Sequence, residues 1–212
     1  MAEMVDPTVI AGEKTTAQVS LDEYMAHYAA QHYEWVEGVL IPMAPATLGH
    51  NDLIKYLAQL LDIYFELKPG GRVVMQPFVM RLEAFPNRRR EPDLLVVLDT
   101  NPHELKDTYL DGPADICIEV VSSESGERDH GEKFIEYEKG GVPEYWIIDP
   151  LRQEARLYRL NDEGVYTRQT EDRDGNYCTP ALPGLVLHVP TLWQEKLPGP
   201  VAITQFVNQH LE

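Results

Sequence analysis

The 212-residue chain predicts an α/β (α+β) fold, a central mixed β-sheet flanked by helices. Three observations carry this expectation. The apolar runs DLLVVLD, ADICIEVVS and VPEYWIIDP are nearly continuous, as in strands buried on both faces. A helical repeat runs through GHNDLIKYLAQLLDIYFELK, where Leu53, Ile54, Leu57, Leu60, Leu61, Tyr64 and Phe65 form one apolar stripe. A helix-like stretch, ERDHGEKFIEYEKGG, stands between two of the strand runs, as in a parallel crossover.

In chain order, residues 1–18 read as a flexible leader. Ser20 caps a short helix, SLDEYMAHYA, with Glu23 as its capping-box partner. YEWVEGVLIPMA nearly alternates around Glu37-Gly38, which predicts a hairpin or a bulged strand pair. The long helix follows and stops at Pro69-Gly70-Gly71. RVVMQPFVMRL reads as one strand, FPNRRREP as a polar turn and NPHELKDTYLDGP as a loop. The crossover helix closes on two glycines, which suit a C-cap. ARLYRL and GVYTRQ pair as an antiparallel hairpin through Asn161-Asp162-Glu163-Gly164. The segments LPGLVLHVPTLWQEKL and ITQFVNQHL carry no clear period. One domain over residues 19–195 and a C-terminal extension over 196–212, holding a short helix, account for the length.

Composition is that of a globular protein, 43% hydrophobic and 25% charged. No apolar run reaches the roughly 18 residues of a membrane span, and the first residues lack the basic start and apolar stretch of a secretory signal. Two cysteines are too few for a disulfide scaffold, and Cys117 sits in an apolar run. A cytoplasmic, reduced protein is expected. The net charge of −17 opposes indiscriminate binding to a polyanion. The charge is uneven, however: Lys55, Lys68, Arg72, Arg81, Arg88, Arg89 and Arg90 face only Asp52, Asp62, Glu66 and Glu83 between His50 and Arg90.

Chemistry centres on two acidic residues. Asp93 opens DLLVV directly after Pro92, and Glu119 interrupts ICIEVV. A carboxylate inside an apolar strand is costly unless it is paired or bound to a cation. Either an Arg or Lys partner or a shared divalent metal meets that need. Two carboxylates on neighbouring strands can hold Mg2+ or Mn2+ and leave positions for water and phosphate oxygens. Glu37, bent by Gly38, is a third candidate carboxylate or an ordinary hairpin side chain. His50, at the start of the long helix, meets substrate, takes a proton near neutrality, or faces solvent. Lys133 shares a helical face with Asp129 and Tyr137; it either stabilises charge at a phosphate or forms a weak i,i+4 pair. Arg88 and Arg90 grip phosphates or belong to a solvated turn.

Taken together, these residues resemble the Uma-type endonuclease family of the PD-(D/E)xK nuclease superfamily. The resemblance runs from about Tyr33 to Leu160, through YEWVEGVLIPMAP, GHNDLIKYLAQLL, EPDLLVV, GPADICIEVVSSES and RDHGEKFIEYEKGGVPEYWIIDP. It implies a restriction-endonuclease-like core with the active site where the sheet opens. Pro92-Asp93 is similar to the family's Pro-Asp, Glu119 to its second-strand acid, Glu37 to its early acidic position and His50 to its helix-start histidine. The superfamily's lysine two residues after the strand glutamate is replaced by Val121, and Lys133 is the candidate substitute.

The resemblance implies a Mg2+- or Mn2+-dependent endonuclease acting on nucleic acid, DNA in the first instance, as a homodimer. Two other readings stand beside it. A non-catalytic interaction module on the nuclease fold agrees with the acidic charge and with Val121. Glycoside hydrolysis by two carboxylates needs an aromatic cleft; Trp35, Trp146 and Trp193 are available, but Trp146 lies in an apolar strand run.

Overall fold

The computed structural model describes residues 18–43, 45–122 and 125–211. The leader expected before residue 18 therefore lies outside the described residues, Gln18 apart.

The elements are α1 (Leu21–His27), β1 (Tyr33–Val36), β2 (Val39–Pro42), α2 (Leu48–Leu67), β3 (Gly71–Met75), β4 (Val79–Met80), β5 (Arg88–Arg89), β6 (Leu94–Leu98), β7 (Tyr109–Leu110), β8 (Ile116–Val120), α3 (Gly126–His130), α4 (Glu132–Lys139), β9 (Glu144–Asp149), β10 (Glu154–Leu160), β11 (Tyr166–Gln169), β12 (Asn176–Cys178), β13 (Val186–His188), a 3-10 turn (Val189–Trp193) and α5 (Pro200–Leu211). A six-stranded sheet in the order β11-β10-β9-β8-β6-β3 forms the centre. Within this sheet β8 and β9 pair in parallel, joined by α3 and α4, and the other neighbours are antiparallel. This is the mixed, helix-flanked sheet of a restriction-endonuclease-like core.

Strand alternation divides the sheet between two cores. Leu94, Val96, Ile116, Ile118 and Val120 face α2, whose Leu53, Ile54, Leu57, Leu60, Leu61 and Tyr64 are buried against them. Each fully buried side chain of this kind contributes about 1.5–3 kcal/mol. Ile203 and Val207 of α5 pack into the same core, so the final helix is built into the domain. Leu95, Val97, Cys117 and Val121 face the opposite way, towards Tyr137 of α4. Glu119 belongs to this second face by parity.

Local sequence accounts for the ends of these elements. Ser20 Oγ accepts from Glu23 N, and Thr47 Oγ1 accepts from His50 N, each a side-chain N-cap. Glu37 and Gly38 both have positive φ, at 53° and 88°, which makes the two-residue turn between β1 and β2. Three expectations change. RVVMQPFVMRL is two strands rather than one, because Pro77 lacks the N–H that a continuing ladder needs. FPNRRREP is more than a polar turn, since Arg88 and Arg89 pair with β1 and Arg89, Arg90 and Glu91 are buried. ERDHGEKFIEYEKGG is two helices broken at Gly131, whose φ of −118° and ψ of −89° are not helical.

Candidate active site

Asp93 and Glu119 line one cavity of about 460 Å3, together with Glu34, His50, Gln76, Val120, Arg128 and Lys133. The antiparallel register of β6 and β8 pairs Leu94 with Ile118. One step further, Asp93 comes opposite Glu119, where side chains share a face. Asp93 is fixed from two sides: Oδ1 accepts from Gln76 Nε2 at 2.7 Å and Oδ2 from Val120 N at 2.7 Å. His50 Nε2 stands 3.6 Å from Asp93 Oδ1, beyond hydrogen-bond length, and His50 Nδ1 is buried without a partner.

Glu119 is buried and accepts at Oε1 from Lys133 Nζ at 2.8 Å and from the Tyr137 hydroxyl at 2.9 Å. Lys133 also meets Glu34 Oε1 at 3.0 Å and Asp129 Oδ1 at 3.5 Å. Its pairing thus extends well beyond the i,i+4 contact, because the ammonium sits among three carboxylates. Burial alone would lower the Lys133 pKa, but Glu119, Glu34 and Asp129 outweigh it and raise the pKa. Burial pushes Glu34 up, yet Lys133 and Arg90 hold it at about 2. Glu119 goes the other way. Burial raises its pKa well above the carboxylate range; Lys133 opposes this, while Asp129, Asp93 and Glu34 add to it. Asp129 is raised too, by burial first. Around Lys133 and Arg90, the buried carboxylates Glu34, Asp93, Glu119, Asp129 and Glu136 are in excess.

The remaining candidates sit elsewhere. Glu37 is exposed in the β1–β2 turn, pairs with Arg88 Nη2 at 3.0 Å and does not line the cavity. The early acidic position in the cavity is Glu34, whose side chain points inward while Glu37 turns out. Arg90, expected to grip a phosphate, lies away from the cavity. Arg90 is buried, with Nη1 on Glu34, Nη2 and Nε on Glu136, and Nη2 on Glu132. Arg88 pairs with Glu136 and Glu37. Neither arginine lines the cavity, and Arg89 is tied to the Pro86 and Arg88 carbonyls.

Sequence reasoning missed Glu34, Gln76 and Arg128, and named Asp129 only as the i,i+4 partner of Lys133. A signal existed for Glu34, a charge between Tyr33 and Trp35 on a strand, and for Asp129, one helical turn before Lys133. Gln76 and Arg128 had none.

Among the described residues, no group of three or more His, Cys, Asp or Glu side chains forms a metal cage. A magnesium site asks for less, one or two carboxylates completed by water and substrate oxygens. Asp93 and Glu119 meet that demand. Gln76 Oε1, buried in the cavity wall with no partner, adds a neutral oxygen donor. The excess of carboxylates and the raised pKa values of Glu119 and Asp129 favour an added positive charge. The donors present therefore fit a hard divalent cation.

The mixed sheet and its flanking helices define a protein of the restriction-endonuclease-like fold class. Residues 21–190 match the family model Uma2, described as "Putative restriction endonuclease", and the chain belongs to that family. A solved structure, described as a putative nuclease belonging to DUF820 from Anabaena variabilis ATCC 29413, is similar with a TM-score of 0.68. At 18% identity it covers 82% of this chain and 97% of its own, a likeness of fold. The comparison with curated proteins gave no match.

Proposed function

We propose that this protein is a divalent-metal-dependent endonuclease that hydrolyses phosphodiester bonds in nucleic acid, DNA in the first instance, and works as a homodimer. The observation that carries the reading is the meeting of Asp93, Glu119 and Lys133 in one cavity. Asp93, Glu119 and Gln76 Oε1 would hold Mg2+ or Mn2+. When bound, such an ion lowers the pKa of a water and polarises the phosphoryl group. The rest falls to the chain's own side chains. The Lys133 ammonium, held against Glu119, stabilises negative charge developing on the phosphate. Arg128, in the cavity wall, contacts a phosphate oxygen. His50, 3.6 Å from Asp93, would receive a proton. Gln76 and the Val120 amide keep the Asp93 carboxylate oriented.

The test is cleavage of plasmid and single-stranded DNA with added magnesium. Asp93→Ala and Glu119→Ala are expected to abolish it in folded protein, and an unchanged rate in both would remove the assignment. The acidic charge of −17 favours the rival reading of a non-catalytic module. That reading predicts no magnesium heat by calorimetry and a stable protein partner in pull-down.

A further inference from the structure

Next to the candidate active site lies a second cavity, of about 630 Å3, whose wall includes His130, Asp149, Arg152 and Arg156. Ser122 borders both cavities. Arg128, two residues before His130, lines the first, so α3 presents basic or donor side chains to each.

These side chains are held but not satisfied. Arg156 Nη1 meets His130 Nδ1 at 3.5 Å. A guanidinium only donates, so Nδ1 is the accepting nitrogen and the ring hydrogen sits on Nε2. Burial first, then Arg156, lowers the His130 pKa, and the ring serves as a neutral donor. His130 Nε2, Arg156 Nε and Arg128 Nε are all buried with no hydrogen-bond partner. Each such group costs about 1–3 kcal/mol. Of the carboxylates close by, Asp129 is turned to Lys133 at 3.5 Å, and the other two are engaged. Asp149 accepts from Leu151 N and Arg152 N and pairs with Arg152. Glu154 holds Arg156 and Arg168. Three unmatched N–H donors thus stand at the walls of the two cavities, where an acceptor with several oxygens would complete them.

We infer that His130 and Arg156, with Arg128 at the boundary, form a subsite for a phosphate group of the nucleic-acid strand, next to the one cleaved. The subsite rests on the nuclease reading above for the identity of its ligand. A phosphate oxygen accepts from the Arg156 guanidinium and, once the ring tips towards the cavity, from His130 Nε2, and the bond between subsite and active site fixes the strand's direction through the cavity. The only other source of the same chemistry is a free phosphate ion.

The experiment measures anisotropy of a labelled oligothymidylate with the full chain in EDTA, across a potassium chloride series, where no cleavage intervenes. Arg156→Gln is expected to weaken binding about tenfold, as for a hydrogen bond to a charged group. It should also reduce the salt slope by about 0.7, as for one single-strand phosphate contact. His130→Ala should weaken binding about threefold with the slope unchanged, because a neutral donor releases no counterion. Circular dichroism checks that both variants are folded, and the His130 variant, which leaves every ion pair intact, stands if the arginine variant does not fold. Inorganic phosphate is the second probe. Competition by phosphate that depends on Arg156, with strand binding indifferent to both residues, overturns the strand subsite in favour of a free-ion site. Unchanged affinity and slope in both variants overturns it altogether. A wild type that binds in this Arg156-dependent way yet cuts nothing sinks the nuclease reading alone. Cleavage with a KM indifferent to both variants sinks the subsite alone.

Discussion

Replacing Glu91 with Gln should stabilise the protein at alkaline pH and leave it nearly unchanged in acid. Glu91 is fully buried. Its Oε1 lies 2.9 Å from the Tyr24 hydroxyl, its Oε2 has no partner, and the same hydroxyl reaches the Tyr33 carbonyl at 2.9 Å. Tyr24 has one hydrogen to give. A protonated Glu91 can donate to that hydroxyl and free it to donate to Tyr33, whereas an ionised Glu91 leaves the carbonyl or itself short. Burial, above all, and Glu34 push the Glu91 pKa up to about 8; the Tyr24 hydrogen bond and Lys133 pull against them. The folded protein therefore binds a proton that the unfolded chain, near the ordinary glutamate value of 4.5, has released. Stability from this group is fully present below 4.5 and is lost as pH rises through about 8. The span corresponds to about 5 kcal/mol at most. Gln cannot ionise and keeps both hydrogen-bonding roles. Urea melts of both proteins from pH 4.5 to 9 read the difference. It should grow from near zero at the acid end to a few kcal/mol at the alkaline end. A difference that stays flat across the range refutes the reasoning.

Three further outcomes follow from the buried charges and one close approach. Lys133→Met removes the cation from Glu34, Glu119 and Asp129 and should cost about 3–5 kcal/mol at pH 7, shrinking as acid protonates the stranded carboxylates; denaturant melts against pH check this. Arg90→Met strands Glu34 and Glu136 and should cost a similar amount, while Arg90→Lys recovers only part of it, since an ammonium lacks the guanidinium fork. Gly140→Ala puts a Cβ 2.6 Å from the Glu136 carbonyl oxygen and from a Leu82 methyl; a loss of about 1–3 kcal/mol in thermal or urea melts is expected.

The sequence announces what periodicity can announce. The α2 stripe, the strands of the central sheet and the β8–β9 crossover are all legible, because burial on one or both faces forces a repeat that can be read directly. It misleads where tertiary pairing overrides composition. Three arginines in a row read as a solvated turn, yet Arg90 is enclosed by Glu34, Glu132 and Glu136, which come from distant parts of the chain. For the same reason Glu37 drew attention and Glu34 did not. Only the φ values at the turn decide which of two nearby carboxylates faces inward. Asp93, Glu119 and Lys133 were legible because a carboxylate after Pro or inside an apolar run, and a lysine one helical turn from an aspartate, are locally odd. Gln76 had no such oddity, since its meaning depends on a strand partner that the chain order hides.

Placing Lys133 on α4 rather than on β8 makes the ammonium's position a property of how the crossover helix seats on the sheet. The helix advances 5.4 Å per turn, so slippage by a single turn would withdraw the nitrogen from every acid it now serves. Whatever grips α4 along its axis, including the Glu136 contacts to Arg88 of β5 and to Arg90 just beyond it, acts as a detent on the depth of the ammonium in the cavity. Under the nuclease reading proposed above, substituting Arg88, which lies on β5 outside the cavity, should then alter turnover without touching a ligand.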